Sequence, residues 1–191
     1  MMADGEHKSD EIERFRTSAA EAREEASKLA FSLYEESERA CVILGAAKID
    51  SDLEVLLRQV LHPCAGGQDN LFESDRALGT FSAKISLAHR MGLISPEFER
   101  ALQILRRVRN SFAHQVEDAS LSVGGHKDRI AEIYKWASDD STYDLLVERL
   151  LPAGTKKSRE QARFVICILH MVLVLKVGAN RFGRLKLGTP L

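Results

Sequence analysis

The chain has 191 residues and a formal charge of −1, with 45% hydrophobic and only 6% aromatic residues. That length suits one compact core with an appended helix rather than two independent domains, and the abundance of Leu, Ala, Arg and Glu favours helices over a sheet. Three widely separated cysteines, Cys41, Cys64 and Cys167, with no Cys-x-x-Cys, argue against a disulfide framework and against a structural zinc site.

The near-zero charge conceals an uneven distribution. Residues 1–40 carry eleven Asp or Glu against six Lys or Arg, whereas residues 156–191 carry eight basic residues against one acidic. The average is therefore no argument against a nucleic-acid contact at the basic end, where Arg181, Arg184 and Lys186 are the candidate residues. The polar, acidic beginning does not read as a secretory signal, and the longest apolar run, Phe164 to Leu175, is short for a bilayer. A cytoplasmic protein with no membrane partner is expected.

Along the chain, Ser9 or Asp10 can cap a first helix through Phe15, Ala22, Leu29 and Leu33. From Glu36 to Leu61, apolar residues from Val42 to Val60 recur at spacings of three and four, predicting a second helix with one broad buried face. His62-Pro63 and Gly66-Gly67 end it, and a polar loop follows to Gly79. Thr80 can cap a third helix that Gly92 stops, and Ser95-Pro96-Glu97 starts a fourth running to about His114. The short connection predicts an antiparallel hairpin. Two short helices follow, Asp128 to Ala137 and Thr142 to Leu151. Ser158 with Gln161 then forms a capping box for a last helix to about Val177, apolar on almost every side and so destined for the core or a second subunit. The expected architecture is an all-α, compact multi-helix bundle of about six or seven helices. Residues 1–33 form an acidic helical extension, 34–177 the helical domain and 178–191 a mobile basic tail.

The candidate chemistry lies on the fourth helix. At about 100° per residue, Ala101, Ile104, Leu105, Val108 and Phe112 form the buried stripe. Asn110 and His114 stand one above the other on the opposite side, with Gln103, Arg106 and Arg107 on the same face and Arg109 at its edge. An imidazole beside a carboxamide and several guanidinium groups suits a phosphate. On this reading His114 could serve as the proton-exchanging group, Asn110 could fix the ring, and the arginines could stabilise developing charge on a phosphoryl oxygen. One helix lacks a cleft, so a neighbouring helix or second subunit must supply the opposing wall. The plainer reading is a helix-ending cation at the dipole terminus with solvated neighbours. Glu36, Arg39 and Asp50 on or near the second helix, and Lys84 and His89 on the third, are the residues that can line such a cleft, although Arg39 can equally pair with Glu35 or Glu36. His170, amid Leu169, Met171 and Leu173, reads as a satisfied core or interface histidine, and Tyr134 and Trp136 are too weak a signal for base stacking. Neither a glycine-rich phosphate loop nor metal-ligand spacing is present, so no cofactor and no metal is expected.

The blocks Glu36-Ser37-Glu38-Arg39-Ala40-Cys41 through Asp50, Leu71-Phe72, Leu78 to Ile85, Met91-Gly92-Leu93-Ile94 and Arg109-Asn110-Ser111-Phe112-Ala113-His114 resemble the mannitol operon repressor (MltR) family over roughly residues 30–117. The resemblance implies a small, helical, intracellular bacterial protein associated with transcriptional repression and lacking a recognisable helix-turn-helix, acting as a homo-oligomer or through a protein partner. DNA contact is then indirect or made by the basic end. The last block is also similar to the Arg-x4-6-His motif of the HEPN superfamily. That second resemblance implies a metal-independent endoribonuclease or toxin, with Arg109, Asn110 and His114 as catalytic residues at a composite cleft between two subunits. A noncatalytic oligomeric scaffold, held together by the apolar last helix, is the third reading.

Overall fold

Hydroxyl residues followed by apolar stripes set where four of the helices begin, at Ser37, Thr80, Ser95 and Ser158. The computed structural model describes residues 3–64, 66, 69–114, 119–138 and 142–184, with side chains at 17 and from 20 onward. Among the described residues there are seven helices and no strand: α1 (Ala3–Glu35), α2 (Glu38–Val60), α3 (Phe81–Arg90), α4 (Pro96–His114), α5 (Gly125–Ala137), α6 (Thr142–Leu150) and α7 (Arg159–Ala179). The protein is an all-α bundle.

Side-chain caps explain the boundaries. Thr80 Oγ1 accepts from the Ala83 amide at 3.1 Å and Ser95 Oγ from the Phe98 amide at 3.2 Å, as the sequence predicts. The second helix starts at Glu38 rather than Glu36 because Ser37, in extended backbone conformation, is the cap, accepting from the Ala40 amide. Half of the expected capping box forms at α7. Ser158 Oγ accepts from the Gln161 amide at 3.0 Å, but the Gln161 side chain is buried and donates to the carbonyls of Tyr34 and Glu36. A residue predicted to close its own helix therefore ties α7 to the α1–α2 junction. Between α3 and α4 the Leu93 amide donates to Ala88 O and the Gly92 amide to His89 O, a Schellman motif that requires the left-handed φ of +71° at Gly92. The two helices pack as the predicted hairpin.

α7 lies at the centre, packed on α1, α2, α5 and α6, while α4 contacts α2, α3 and α5. Phe164, Val165, Ile168, Met171, Val172 and Leu175 of α7 are all buried, so its apolar character is used inside the chain. At 21 residues, with a mean hydropathy of 2.0 in its most apolar window, this helix is longer than the run Phe164–Leu175 suggests and would suffice in length and composition to cross a membrane. Its close approach to α2 occurs at Gly45, where a methyl group would lie 3.1 Å from Ile168 Cγ1 and 3.2 Å from Phe164 Cε1. α1 joins the same core through Ala26, Ala30, Leu33 and Tyr34. Glu25 reinforces it, pairing with Lys176 of α7 and lying 3.3 Å from Lys48 of α2.

A cleft between three helices as the candidate functional site

α4 presents two faces with opposite chemistry. Ala101, Leu105, Val108 and Phe112 are buried, as the helical wheel predicts, while Arg107, Arg109 and His114 are exposed and Arg106 and Asn110 half-buried. Part of the polar face forms one wall of an open cleft of about 670 Å³ between α2, α3 and α4. Arg106, Arg109 and Asn110 line it from α4, Asp50, Ser51 and Glu54 from α2, and Thr80, Ser82 and Lys84 from the start of α3. The opposing wall that one helix could not supply thus comes from its neighbours in the same chain.

At the inner end of the cleft Lys84 is almost completely buried, with its Nζ 2.8 Å from Asp50 Oδ1 and 2.9 Å from Glu54 Oε2. Burial alone would lower the Lys84 pKa, but the two carboxylates outweigh it and raise it above its ordinary value. Burial likewise pushes Glu54 up, yet hydrogen bonds from Lys84 and Arg58 hold it below the usual carboxylate value. Arg58 Nε donates to Glu54 at 2.9 Å, its Nη1 reaches Asp69 at 2.6 Å, and its guanidinium lies 4.2 Å from the centre of the Phe72 ring. These charges are matched.

The outer guanidiniums are arranged differently. Arg106 Nε donates to the amide oxygen of Gln103 at 3.0 Å and Arg109 Nη1 to that of Asn110 at 3.1 Å. Among the described residues neither is within ion-pair distance of a carboxylate. With Asp50 and Glu54 taken up by Lys84 and Arg58, the mouth of the cleft keeps two positive charges facing neutral partners.

The six-residue segment from Arg109 to His114 is divided among several environments. Arg109 and Asn110 line the cleft. Ser111 turns away, its Oγ 2.9 Å from Nε2 of the buried His126, whose Nδ1 lies 3.1 Å from Ser120 O. A carbonyl only accepts, so Nδ1 donates to Ser120 O, and the Ser111 hydroxyl is the partner of Nε2. Phe112 is fully buried with its ring centre 4.9 Å from that of His126. His114 stands exposed at the last turn of α4 and does not line the cleft.

Of the other predicted residues, Asp50 and Lys84 meet at the cleft, while Glu36, Arg39, Arg107 and His89 do not line it. Arg39 does not pair with Glu35 or Glu36. Its Nη1 donates to Phe112 O at 2.5 Å, capping a carbonyl in the last turn of α4. Glu36 contributes its backbone carbonyl, which accepts from Lys157 and Gln161. At the basic end, Lys157, Arg159, Arg163 and Lys176 are engaged with Glu35 and Glu36 carbonyls, Glu148, the Tyr134 ring and Glu25 respectively. Gln59 donates to the carbonyls of Ala179 and Phe182, drawing the first part of the segment after α7 onto α2. Arg181 and Arg184 are exposed, and Lys186 lies outside the described residues.

Sequence reasoning missed His126, Ser82 and Arg58. It also missed Glu38, whose carboxylate accepts from the Leu121 amide at 2.7 Å and from Ser158 Oγ at 2.5 Å. Thr80 was legible only as a cap, while Lys84 was nominated for the cleft from α3. His170 is the expected satisfied histidine, bonded to the Tyr143 hydroxyl and edge-on to Trp136 at 5.0 Å, with burial lowering its pKa. Trp136 is stacked flat on Phe98 at 4.8 Å, so that face of the indole is covered. Burial pushes the Cys41 thiol up to about 12 and raises Cys167 as well, leaving both unreactive near neutral pH. Among the described residues no group of three His, Cys, Asp or Glu side chains could hold a metal ion. Compared with known proteins, the chain matches no family model, no curated protein and no solved structure.

Proposed function

We propose that this chain is a small cytoplasmic regulator of bacterial gene expression of the mannitol operon repressor type, working through the cleft that α4 shares with α2 and α3. The observation that carries this reading is the separation of Arg106, Arg109 and Asn110, which line the cleft, from His114, which stands outside it. Such a site is equipped to bind: His114 is not among its lining residues, and the carboxylates that are, Asp50 and Glu54, are held by Lys84. Engagement of much of the basic C-terminal end with the protein's own acceptors favours indirect DNA contact, through a second copy or a protein partner. Exposed Leu44 and Val55, on the outer side of α2 with Val55 at the cleft edge, suit such a partner.

Transcript profiling of cells with and without the gene tests this. Deletion should change expression of a defined set of genes, and Arg106→Gln/Arg109→Gln should reproduce the deletion. An unchanged profile in the deletion strain would sink the regulator reading. If regulation holds while the purified protein binds no DNA even at low salt, repression is indirect.

A second reading, a HEPN-like ribonuclease, is favoured by the exposure of both Arg109 and His114 at one end of α4, where a second copy can bring two such pairs together. It predicts metal-independent RNA cleavage leaving a 2′,3′-cyclic phosphate, abolished in His114→Ala. Equal cleavage by wild type and variant rejects it.

A further inference from the structure

We infer that the α2–α3–α4 cleft is a receptor for a small phosphomonoester, whose phosphate sits between Arg106 and Arg109 of α4 and the first turn of α3. The inference rests on the regulator reading only in making this ligand its effector; the binding site itself is argued from the cleft.

Three features converge on that chemistry. The cleft volume of about 670 Å³ falls within the range of small-molecule sites and admits a ligand of a few tens of atoms at most. Among the described residues the two guanidiniums at its mouth bond to neutral amide oxygens and to no carboxylate, so an incoming anion has no such carboxylate to displace. The opposite wall is donor-rich. Thr80 takes the Ala83 and Lys84 amides onto its own oxygens, leaving the Phe81 and Ser82 amides as the remaining first-turn donors, beside the Ser82 hydroxyl. Lys84 cannot serve as the anion's main partner because Asp50 and Glu54 already hold it. Those carboxylates, already bonded to Lys84 and Arg58, occupy the inner end. An extended polyanion laid across the whole cleft would meet them, whereas a single phosphate confined to the mouth does not.

The test is a titration of the full chain followed by amide NMR, using inorganic phosphate, glycerol 3-phosphate, uncharged glycerol and a short single-stranded DNA as probes. Phosphate and glycerol 3-phosphate should shift the Phe81 and Ser82 amides in a saturable way, and glycerol should not. Arg106→Gln/Arg109→Gln should weaken binding by about tenfold or more with an unchanged circular dichroism spectrum. Ser82→Asp, acting from the other wall, should do the same. Absence of saturable shifts, shifts confined to another surface, or equal affinity in both variants overturns the proposal. So does DNA binding at this cleft that glycerol 3-phosphate cannot compete away. A protein that binds glycerol 3-phosphate as described but whose deletion leaves the transcript profile unchanged would retain the receptor and lose the regulator reading.

Discussion

Two sets of cations lie in one cleft and have different physical roles. Lys84 is buried and shared between two carboxylates, whereas Arg106 and Arg109 sit at the mouth with amide oxygens as their partners among the described residues. A buried charge without a counter-charge is costly, so Lys84 and its partners must be retained together or lost together. Arg109 is exposed and Arg106 only half-buried, so solvent lightens that penalty for both and leaves them available to a ligand. The cations that the protein needs for its own stability are thus the matched ones, and those best suited to a ligand are the unmatched ones.

The largest test of that contrast is Lys84→Met. Removing the cation leaves Asp50 and Glu54 facing each other and should lower unfolding free energy by about 3 kcal/mol in urea denaturation, the low end for a broken buried pair because both carboxylates keep some solvent contact. A loss no greater than that of a typical surface variant would erase the distinction between the two sets. Next in size is Gly45→Leu, which overpacks the α2–α7 seam supporting one wall of the cleft. It should cost about 2 kcal/mol by thermal or chemical denaturation, since Ile168 and Phe164 already crowd that position.

Acid sharpens the comparison further. Glu54 is held below its ordinary pKa, so its contribution is fully present above the unfolded value and disappears as pH falls through the depressed folded value. Lys84, raised above its ordinary pKa, behaves in the opposite sense, contributing below its unfolded value and losing that contribution as pH rises through the folded one. Urea midpoints should therefore decline below the ordinary carboxylate range, and Glu54→Gln should flatten that decline. The smallest effect is expected for Arg106→Gln/Arg109→Gln, whose stability should stay within about 0.5 kcal/mol of wild type with an unaltered acid profile. A large loss there would make the two arginines structural.

Much of the helical framework was legible because its signals are local. Thr80, Ser95 and Ser158 each bond an amide three residues on, and the buried side of α4 follows from a 3.6-residue period. The site was legible only in part. Arg106, Arg109 and Asn110 could be grouped because they share one helix, and Asp50 and Lys84 could be nominated as its neighbours. Arg39 was misplaced because its acceptor, Phe112 O, lies 73 positions away. Gln161 was misread for a similar reason: at a helix start a glutamine that closes a capping box and one that reaches another helix look identical.

The amino-acid order by itself determined that the chain is all-helical, where most helices start and stop, and which side of α4 is apolar, since each depends on residues within a few turns. Tertiary packing alone decided that the acidic α1 would share Glu25 with Lys176 of α7, that Ser111 would face His126 while Asn110 faced the cleft, and that His114 would lie outside it. It also decided which cations would be neutralised. A helix's period specifies a direction for every side chain but not what lies there; the partner is set only when α2, α3 and α4 come together.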